Sequence, residues 1–260
     1  MQALWVAKTG LDAQQTRMSV VSNNLANVNT TGFKRGRAVF EDLLYQNVQQ
    51  AGASTSEATE DPTGLTLGTG VRIVSTEKNF SQGGRLDTQN PTDLMLEGRG
   101  FFQILLPDGN TAYTRDGSFK VDSEGRMVTS NGYELQPAIT VPDSVISLRV
   151  SRDGVVEATL AGQTTPATLG TLQIADFINP AGLTPRGQNL FVETAASGTP
   201  RIGTPGLDGF AQISQGALET SNVNVVEELV SMIETQRAYE MNSKSIAVSD
   251  QMLQYLNNNL

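Results

Sequence analysis

The two ends of the chain carry the same amphipathic pattern, which the middle lacks. Near the start, apolar residues recur at steps of three, four and seven, at Leu4, Ala7, Leu11, Met18, Val21, Leu25 and Val28. Near the end the same steps recur at Val225, Leu229, Met232, Tyr239, Ile246, Leu253, Leu256 and Leu260. This spacing places an apolar stripe on one side of a helix, and a period near 3.5 suits packing of helix against helix. We predict two terminal helices packed in coiled-coil fashion.

The middle of the chain has the two-residue period of β-strands. Short alternating runs include Val71/Ile73, Phe102/Ile104/Leu106 and Ile146/Leu148/Val150, with the last strand expected from Phe210 to Leu218. Asn-Gly and Asp-Gly pairs, which favour tight hairpins, separate these runs. The pattern predicts an α+β protein with a central, all-β antiparallel domain, sandwich- or barrel-like.

Changes of pattern along the chain predict its division. Residues 1–32 and 222–260 would form the terminal helical domain, 33–70 a connector with a mobile polar loop, and 71–221 the β-rich domain. The apolar run from Phe33 to Val48 fits a short helix or an extended connector. Residues 49–70 are rich in Ser, Thr, Gly and Pro, which is typical of a mobile loop unless a partner orders it. Asn224 followed by Glu227 fits a capping box at the start of the closing helix.

Composition excludes several kinds of function. The chain has no Cys and no His, so disulfides, Cys/His zinc sites and Ser-His-Asp triads are impossible. The net charge of −9 argues against a nucleic-acid partner. No apolar run is long enough to span a membrane, and the start lacks the pattern of a conventional secretion signal. If the protein leaves the cytoplasm, we expect another export route.

Local motifs offer no chemistry either. Gly98-Arg99-Gly100 begins like a dinucleotide loop, but Gln103 stands where the third glycine belongs. The run from Asp122 to Gly125 resembles part of a calcium loop and lacks the remaining ligands, so a hairpin turn is the favoured interpretation. A glycosidase built on two carboxylates is conceivable, yet nothing selects the two. We expect no enzyme activity, no cofactor and no metal.

Three separated motifs point to one family. They are Ser22-Asn23-Asn24-Leu25-Ala26-Asn27-Val28-Asn29-Thr30-Thr31-Gly32-Phe33-Lys34, the two middle runs 93–102 and 113–119, and the closing runs 221–224 and 234–242 with Glu228 between them. Together they resemble the bacterial flagellar rod and hook proteins, in the order that this family has them. The length and the polar segment 46–66 are most similar to the distal rod branch, since hook proteins usually have a larger middle.

The resemblance implies a structural subunit. Members are exported by the flagellar type III apparatus without a cleaved signal peptide and polymerise into a hollow helical tube. Their terminal helices pack towards the channel, with the β domain outside. A distal rod spans the periplasm within the P and L rings, joins the proximal rod to the hook and transmits torque. The implied partners are therefore copies of the same chain, proximal rod proteins, the hook protein and both ring proteins.

We assign two sets of candidate site residues. The helix positions expected to drive assembly, within one subunit or between neighbours, are Leu4, Trp5, Leu11, Met18, Val21, Leu25, Leu229, Met232, Tyr239, Ile246, Leu253 and Leu256. The polar and motif positions expected to fix register are Asn23, Asn24, Asn27, Asn29, Gly32, Phe33, Asn224, Gln236, Arg237 and Asn242. For Trp5, a partly buried anchor and a contact between subunits stay open.

Two other functions stay open at this point. One is another rod or hook-type adaptor of the same family. The other, of a different class, is an exported β-rich adhesin or binding module on a helical stalk, which would form a small closed oligomer.

Overall fold

The structure is a computed structural model that describes residues 2–49, 54–56, 59–60, 63–162 and 165–258. Its contacts divide the chain into two compact units. The helical unit contains residues 1–25, 36–77 and 225–260, and the β unit contains residues 26–35 and 78–224. The predicted boundaries differ, because they assigned 71–77 to the β-rich domain and 33–35 to the connector.

Helix α1 spans Gln2–Ala26, and helix α2 spans Val225–Asn258. Turns follow α1, where the Thr30 amide donates to the Asn27 carbonyl at 3.2 Å. Glu227 and Glu228 occupy the first turn of α2, where carboxylates favour the positive end of the helix. No Gly or Pro interrupts its 34 residues. Neither helix in the described part of the chain is long and apolar enough to cross a membrane.

The helical unit also contains strands. They are β1 Gly36–Asp42, β2 Gln46–Gln49, β3 Ser54–Ser56, β4 Thr59–Glu60, β5 Leu65–Leu67 and β6 Val71–Lys78. Strand β1 pairs with β6, β2 with β5 and β3 with β4. Of the two possibilities for residues 33–48, the structure has the extended one. The mobile loop expected over 49–70 is replaced, in its described residues, by paired strands, because backbone hydrogen bonds between strands need no apolar side chains.

The first half of the β unit runs from residue 78 to residue 136. Its strands are β7 Arg85–Asp87, β8 Leu94–Glu97, β9 Phe101–Leu105, β10 Thr111–Thr114, β11 Lys120–Val121, β12 Met127–Val128 and β13 Glu134–Gln136. The hairpin between β12 and β13 turns at Gly132, whose φ of 81° is easily adopted by glycine.

The second half of the β unit supplies nine further strands and one short 3₁₀ helix, Pro180–Gly182. The strands are β14 Val145–Val150, β15 Val155–Leu160, β16 Ala167–Thr171, β17 Ile174–Asp176, β18 Thr184–Gly187, β19 Leu190–Val192, β20 Arg201–Gly203, β21 Gln212–Gln215 and β22 Ala217–Glu219. The single last strand expected from Phe210 to Leu218 is wrong. Gly216, at a φ of 74°, separates β21 from β22, and each strand has a different partner.

A nine-stranded sheet forms the centre of the β unit. Its strand order is β11-β12-β13-β9-β10-β19-β18, and β17 also pairs with β9 and with the edge strand β20. The smaller sheets are β14-β15-β16, β8-β21 and β7-β22. These strands pair in antiparallel fashion, as predicted. With the two helices, the described part of the chain is an α+β protein.

Strand β9 divides the apolar core of the β unit into two clusters. Phe102 and Ile104 are buried in the larger cluster, where the Phe102 ring meets Phe119 edge to face at 5.1 Å. Phe101 points into the smaller cluster, against Phe177 at 5.8 Å. Each fully buried side chain of this size stabilises the fold by about 1.5–3 kcal/mol. Strand β9 is therefore the centre of the folded β unit.

Candidate assembly surface of the terminal helices

The two terminal helices lie side by side within one chain and run in opposite directions. Among the described residues, the contacts that join them include Asn24 Nδ2 to Glu228 Oε2 (3.2 Å), Arg17 Nη2 to Glu234 Oε2 (3.7 Å) and Gly10 to Asn242. The residue number falls along α1 as it rises along α2, so the helices are antiparallel. At the third contact, a Cβ on Gly10 would lie 2.9 Å from Asn242 Nδ2. The absence of a side chain at Gly10 lets the helices approach closely there.

Asn24 is a buried polar residue of α1 that makes three side-chain hydrogen bonds. Its side chain is buried and binds the Gly36 backbone twice, accepting from the Gly36 amide and donating to the Gly36 carbonyl, both at 2.8 Å. The same Nδ2 also donates to the buried Glu228 carboxylate. Asn24 therefore joins α1, the start of β1 and the first turn of α2.

The side chains of α2 that lie nearest to α1 are polar. The most buried of them are Glu228 and Thr235, and the half-buried Asn242 and Ser249 continue the seven-residue repeat. Thr235 uses its hydroxyl to donate to the Ser231 carbonyl at 2.6 Å, which satisfies the buried group. The contact within one chain is thus made largely by side chains outside the apolar stripe that the sequence predicts for α2.

The apolar stripe predicted on α2 lies beside these polar side chains. Met232 and Ile246 are half-buried, whereas Leu229, Tyr239 and Leu253 are exposed. α2 includes Leu256, whose side chain falls outside the described residues. Strict coiled-coil packing and the assembly role of the stripe stay predictions.

The predicted apolar stripe of α1 is more buried than that of α2. Val21 is buried, and the half-buried members are Leu4, Leu11, Met18 and Leu25. Trp5 is exposed over half of its surface, with Lys8 Nζ 5.6 Å from the ring centroid. Both interpretations of Trp5, a partly buried anchor and a contact between subunits, therefore stay open.

A second stripe of α2 is exposed along its length. We call it the outer stripe and define it as Val226, Val230, Ile233, Arg237, Lys244, Val248, Met252 and Tyr255. Its two ends are apolar and its middle carries cations. Near the end of the helix, Val248, Met252 and Tyr255 line a shallow groove of about 430 Å³ with Gln251. Exposed apolar residues in such a row mark an interaction surface.

Comparison with known proteins identifies matching families along the chain. Residues 4–34 match the flagella basal body rod protein family, residues 95–158 match the flagellar hook protein FlgE/F/G D1 domain, and residues 214–259 match the flagellar basal body rod FlgEFG protein C-terminal family. A flagellar basal-body rod protein FlgG from Buchnera aphidicola subsp. Schizaphis graminum is 58% identical over 254 residues, which cover 98% of each chain. The chain belongs to the flagellar basal-body rod protein family.

Two further relatives mark the breadth of the rod family. The FlgG rod protein of Borreliella burgdorferi is 50% identical over 260 residues, covering 99% of this chain and 98% of its own. The flagellar hook-basal body complex protein FlhP of Bacillus subtilis is 29% identical over 270 residues, covering 99% and 98%. The resemblance found in the motifs is therefore confirmed, and the chain is a structural rod subunit of the flagellar basal body.

The rod-family motif after α1 has a defined local structure. Asn23 and Asn29 are exposed, while Asn27 accepts from the Thr30 hydroxyl at 3.2 Å. Gly32 adopts a φ of 66°, and its amide donates to the backbone carbonyl of Glu219 at 2.8 Å.

The remaining motif residues occupy varied environments. Phe33 is half-buried, with Lys78 Nζ 4.3 Å from its ring centroid. Asn224 directly precedes α2 and is exposed, as are Gln236 and Arg237. Their register role therefore stays a prediction.

Sequence reasoning missed several residues that organise the chain. Glu228, Lys34, Arg115, Glu219 and Asn222 are buried or half-buried and strongly hydrogen-bonded, yet none was singled out as a site. Glu228, Lys34, Arg115 and Asn222 lie in the family motifs, and Glu219 lies two residues before one, so motif membership was the available signal. Periodicity could not reveal them, because a buried charge looks like a surface charge in a hydropathy pattern.

Proposed function

We propose that the chain is a subunit of the distal part of the flagellar rod and assembles into a hollow helical tube. In this proposal the tube joins the proximal rod to the hook and transmits torque through the P and L rings. Near-full-length identity to proteins named as FlgG rod proteins supports the proposal. Its partners would be further copies of the chain, proximal rod proteins, the hook protein and the two ring proteins.

Location follows from the same proposal. The rod would span the periplasm, and the flagellar type III apparatus would export the chain without a cleaved signal peptide. Such a route requires an unfolded or loosely folded chain. Terminal helices are suited to late ordering, since an isolated helix with few charge pairs is marginal in water.

The observation that carries the assembly proposal is the outer stripe. Val230, Ile233, Val248 and Met252 expose apolar surface on one side of α2, although the opposite side of the helix already meets α1. Burial of such side chains contributes about 1.5–3 kcal/mol each when complete. A neighbouring copy that covers the stripe with a different surface would leave its own stripe open. Contacts of this heterologous kind generate open helical filaments.

The test is assembly of purified protein under polymerising conditions. Wild-type protein should form straight hollow tubes in electron micrographs and should sediment as species that grow with concentration. Ile233→Asp should abolish growth because it places a charge in the outer stripe.

The matched control is Ile178→Asp, which makes the same change on the β unit. Ile178 is 82% exposed and Ile233 is 50% exposed, so neither change disturbs a core. Polymer growth by Ile233→Asp would contradict the role of the outer stripe in assembly. An equal loss of polymer growth in both variants would contradict it as well. A plateau at a small oligomer in wild-type protein would favour the stalked binding module instead.

One observation favours a second candidate within the family. The relative named as a hook-basal body complex protein covers nearly the whole chain at 29% identity. This supports a different axial component as the alternative, distinguishable by whether the purified chain caps filaments of a rod protein or extends them.

A further inference from the structure

Three charged side chains are buried together in the β unit. Lys34 and Glu219 are each 1% exposed, and Arg115 is also buried. Long charged side chains are almost never fully buried unless they are paired. We call this set the charge clasp.

The Glu219 carboxylate is the centre of the charge clasp. Its Oε1 accepts from Lys34 Nζ at 2.6 Å and from the Gly83 amide at 2.8 Å, and its Oε2 accepts from Arg115 Nη1 at 3.4 Å. Lys34 Nζ also donates to the Ser81 carbonyl at 2.7 Å. Glu219 thus connects residues that are distant in the sequence.

The two cations need this carboxylate. Burial lowers the pKa of Lys34, an effect that Glu219 opposes and the charge of Arg115 reinforces. Burial also lowers the pKa of Arg115, against the charges of Glu219 and then Asp176. Without Glu219 the two cations would face each other in a buried site, which is strongly unfavourable.

The charge clasp lies where two segments that lead to the helices meet. We call residues 26–35, which follow α1, and residues 219–224, which precede α2, the root segments. They bind each other through Gly32 and Glu219, as described above, and through Asn222 Oδ1, which accepts from the Arg35 amide at 2.7 Å. Asn222 Nδ2 donates to the carbonyls of Asn79 and Ser81, so the same short stretch of the β unit holds both root segments.

We propose that Glu219 is a positioning residue that docks both root segments on the β unit through one buried ionic contact. A buried ion pair adds little net stability but defines one arrangement, because each charge tolerates no other neighbour. The charge clasp therefore fixes the placement of both root segments within the β unit, and the apolar core around β9 supplies the stability. This proposal does not depend on assembly of the rod.

Hydrogen exchange of the full-length monomer tests it. In Glu219→Gln, the amides of residues 32–35 and 219–223 should exchange on the order of 100-fold faster, because breaking a buried pair is costly locally. The amides of β9 should keep their protection. The matched control is Glu97→Gln, which removes a carboxylate from an exposed pair with Arg85 (3.1 Å) and should leave all of these rates unchanged.

A second variant guards against misfolding. Lys34→Met removes the same ion pair but leaves Glu219 with Arg115, and it should also accelerate exchange in both root segments. Unchanged exchange in the root segments of either folded variant would overturn the proposal. Equal acceleration in β9 would do so as well, since it would show a global loss of stability. If neither variant folds, the charge clasp is a general folding requirement and the local role is wrong.

Discussion

Asn24→Ala should loosen the junction of α1, β1 and α2. The change deletes three hydrogen bonds, two to the Gly36 backbone at 2.8 Å and one to Glu228 at 3.2 Å. A buried polar group left without its partner costs about 1–3 kcal/mol. Because Gly36 is only half-buried and water can replace part of the loss, we expect about 2–4 kcal/mol in total.

Amide exchange at Gly36 measures this loss directly. A cost of about 2–4 kcal/mol corresponds to exchange roughly 30- to 1,000-fold faster, at 1.4 kcal/mol for each factor of ten. Ser22→Ala is the matched control, since the nearby Ser22 side chain is exposed on the same helix. Exchange at Gly36 that stays within threefold of wild type would refute the role given to Asn24.

Asn24→Asp separates hydrogen bonding from shape. The variant keeps the acceptor for the Gly36 amide, loses both donors and places a second carboxylate beside Glu228. Two carboxylates at this distance repel unless one is protonated. We therefore expect the variant to be worse than Asn24→Ala at pH 7, measured again at Gly36. A variant no worse than alanine at pH 7 would show that Glu228 does not need a donor there.

Three further predictions concern other parts of the chain. Leu229→Asp should prevent assembly while the circular dichroism of the monomer stays unchanged, and normal tubes would remove the predicted apolar stripe from the interface. Gly32→Ala should lower the melting temperature, because a Cβ would lie 2.7 Å from the Arg115 carbonyl carbon at a φ of 66°. We expect a cost of about 1–3 kcal/mol by calorimetry, and a neutral change would contradict the strain. Burial, with the charge of Glu193 close by, raises the pKa of Tyr113 to about 12. The folded state keeps this proton where the unfolded chain loses it, so stability should fall between about pH 10 and pH 12. The tyrosinate absorbance measured by rapid mixing in the wild type, minus that of Tyr113→Phe, should rise with a midpoint near pH 12. A midpoint near pH 10 would contradict the burial of Tyr113.

The sequence predicted those features that periodicity and turn chemistry encode. Helix α2 begins directly after Asn224, and the turn pair ending at Gly132 lies in a hairpin, because these signals act over a few residues. The family motifs led to the rod family for a different reason: they carry recognisable residues, whatever those residues do. The alternating pattern predicted an antiparallel β domain. It could not predict which strands pair, because pairing depends on contacts between residues that are distant in the sequence.

The contacts between the helices were harder to predict. Hydropathy selected Leu229 and Tyr239, whereas Thr235 and Glu228 are the side chains that the single chain buries. A polar side chain can be buried when it has a hydrogen-bond partner, and Asn24, the partner of Glu228, is distant from it in the sequence. The strands in the connector were missed for a related reason, since pairing of β2 with β5 uses backbone groups common to every residue.

The ion pair between Lys34 and Glu219 also sets an order of events in folding. Its two residues are 185 positions apart, so the pair can close only after most of the chain is available. Closing such a long loop is slow compared with forming a hairpin. Until Glu219 arrives, Lys34 and Arg115 have no shared counter-charge and gain by staying in water. The β hairpins can therefore form early, while the segment after α1 stays undocked until nearly the last residues of the β unit are in place.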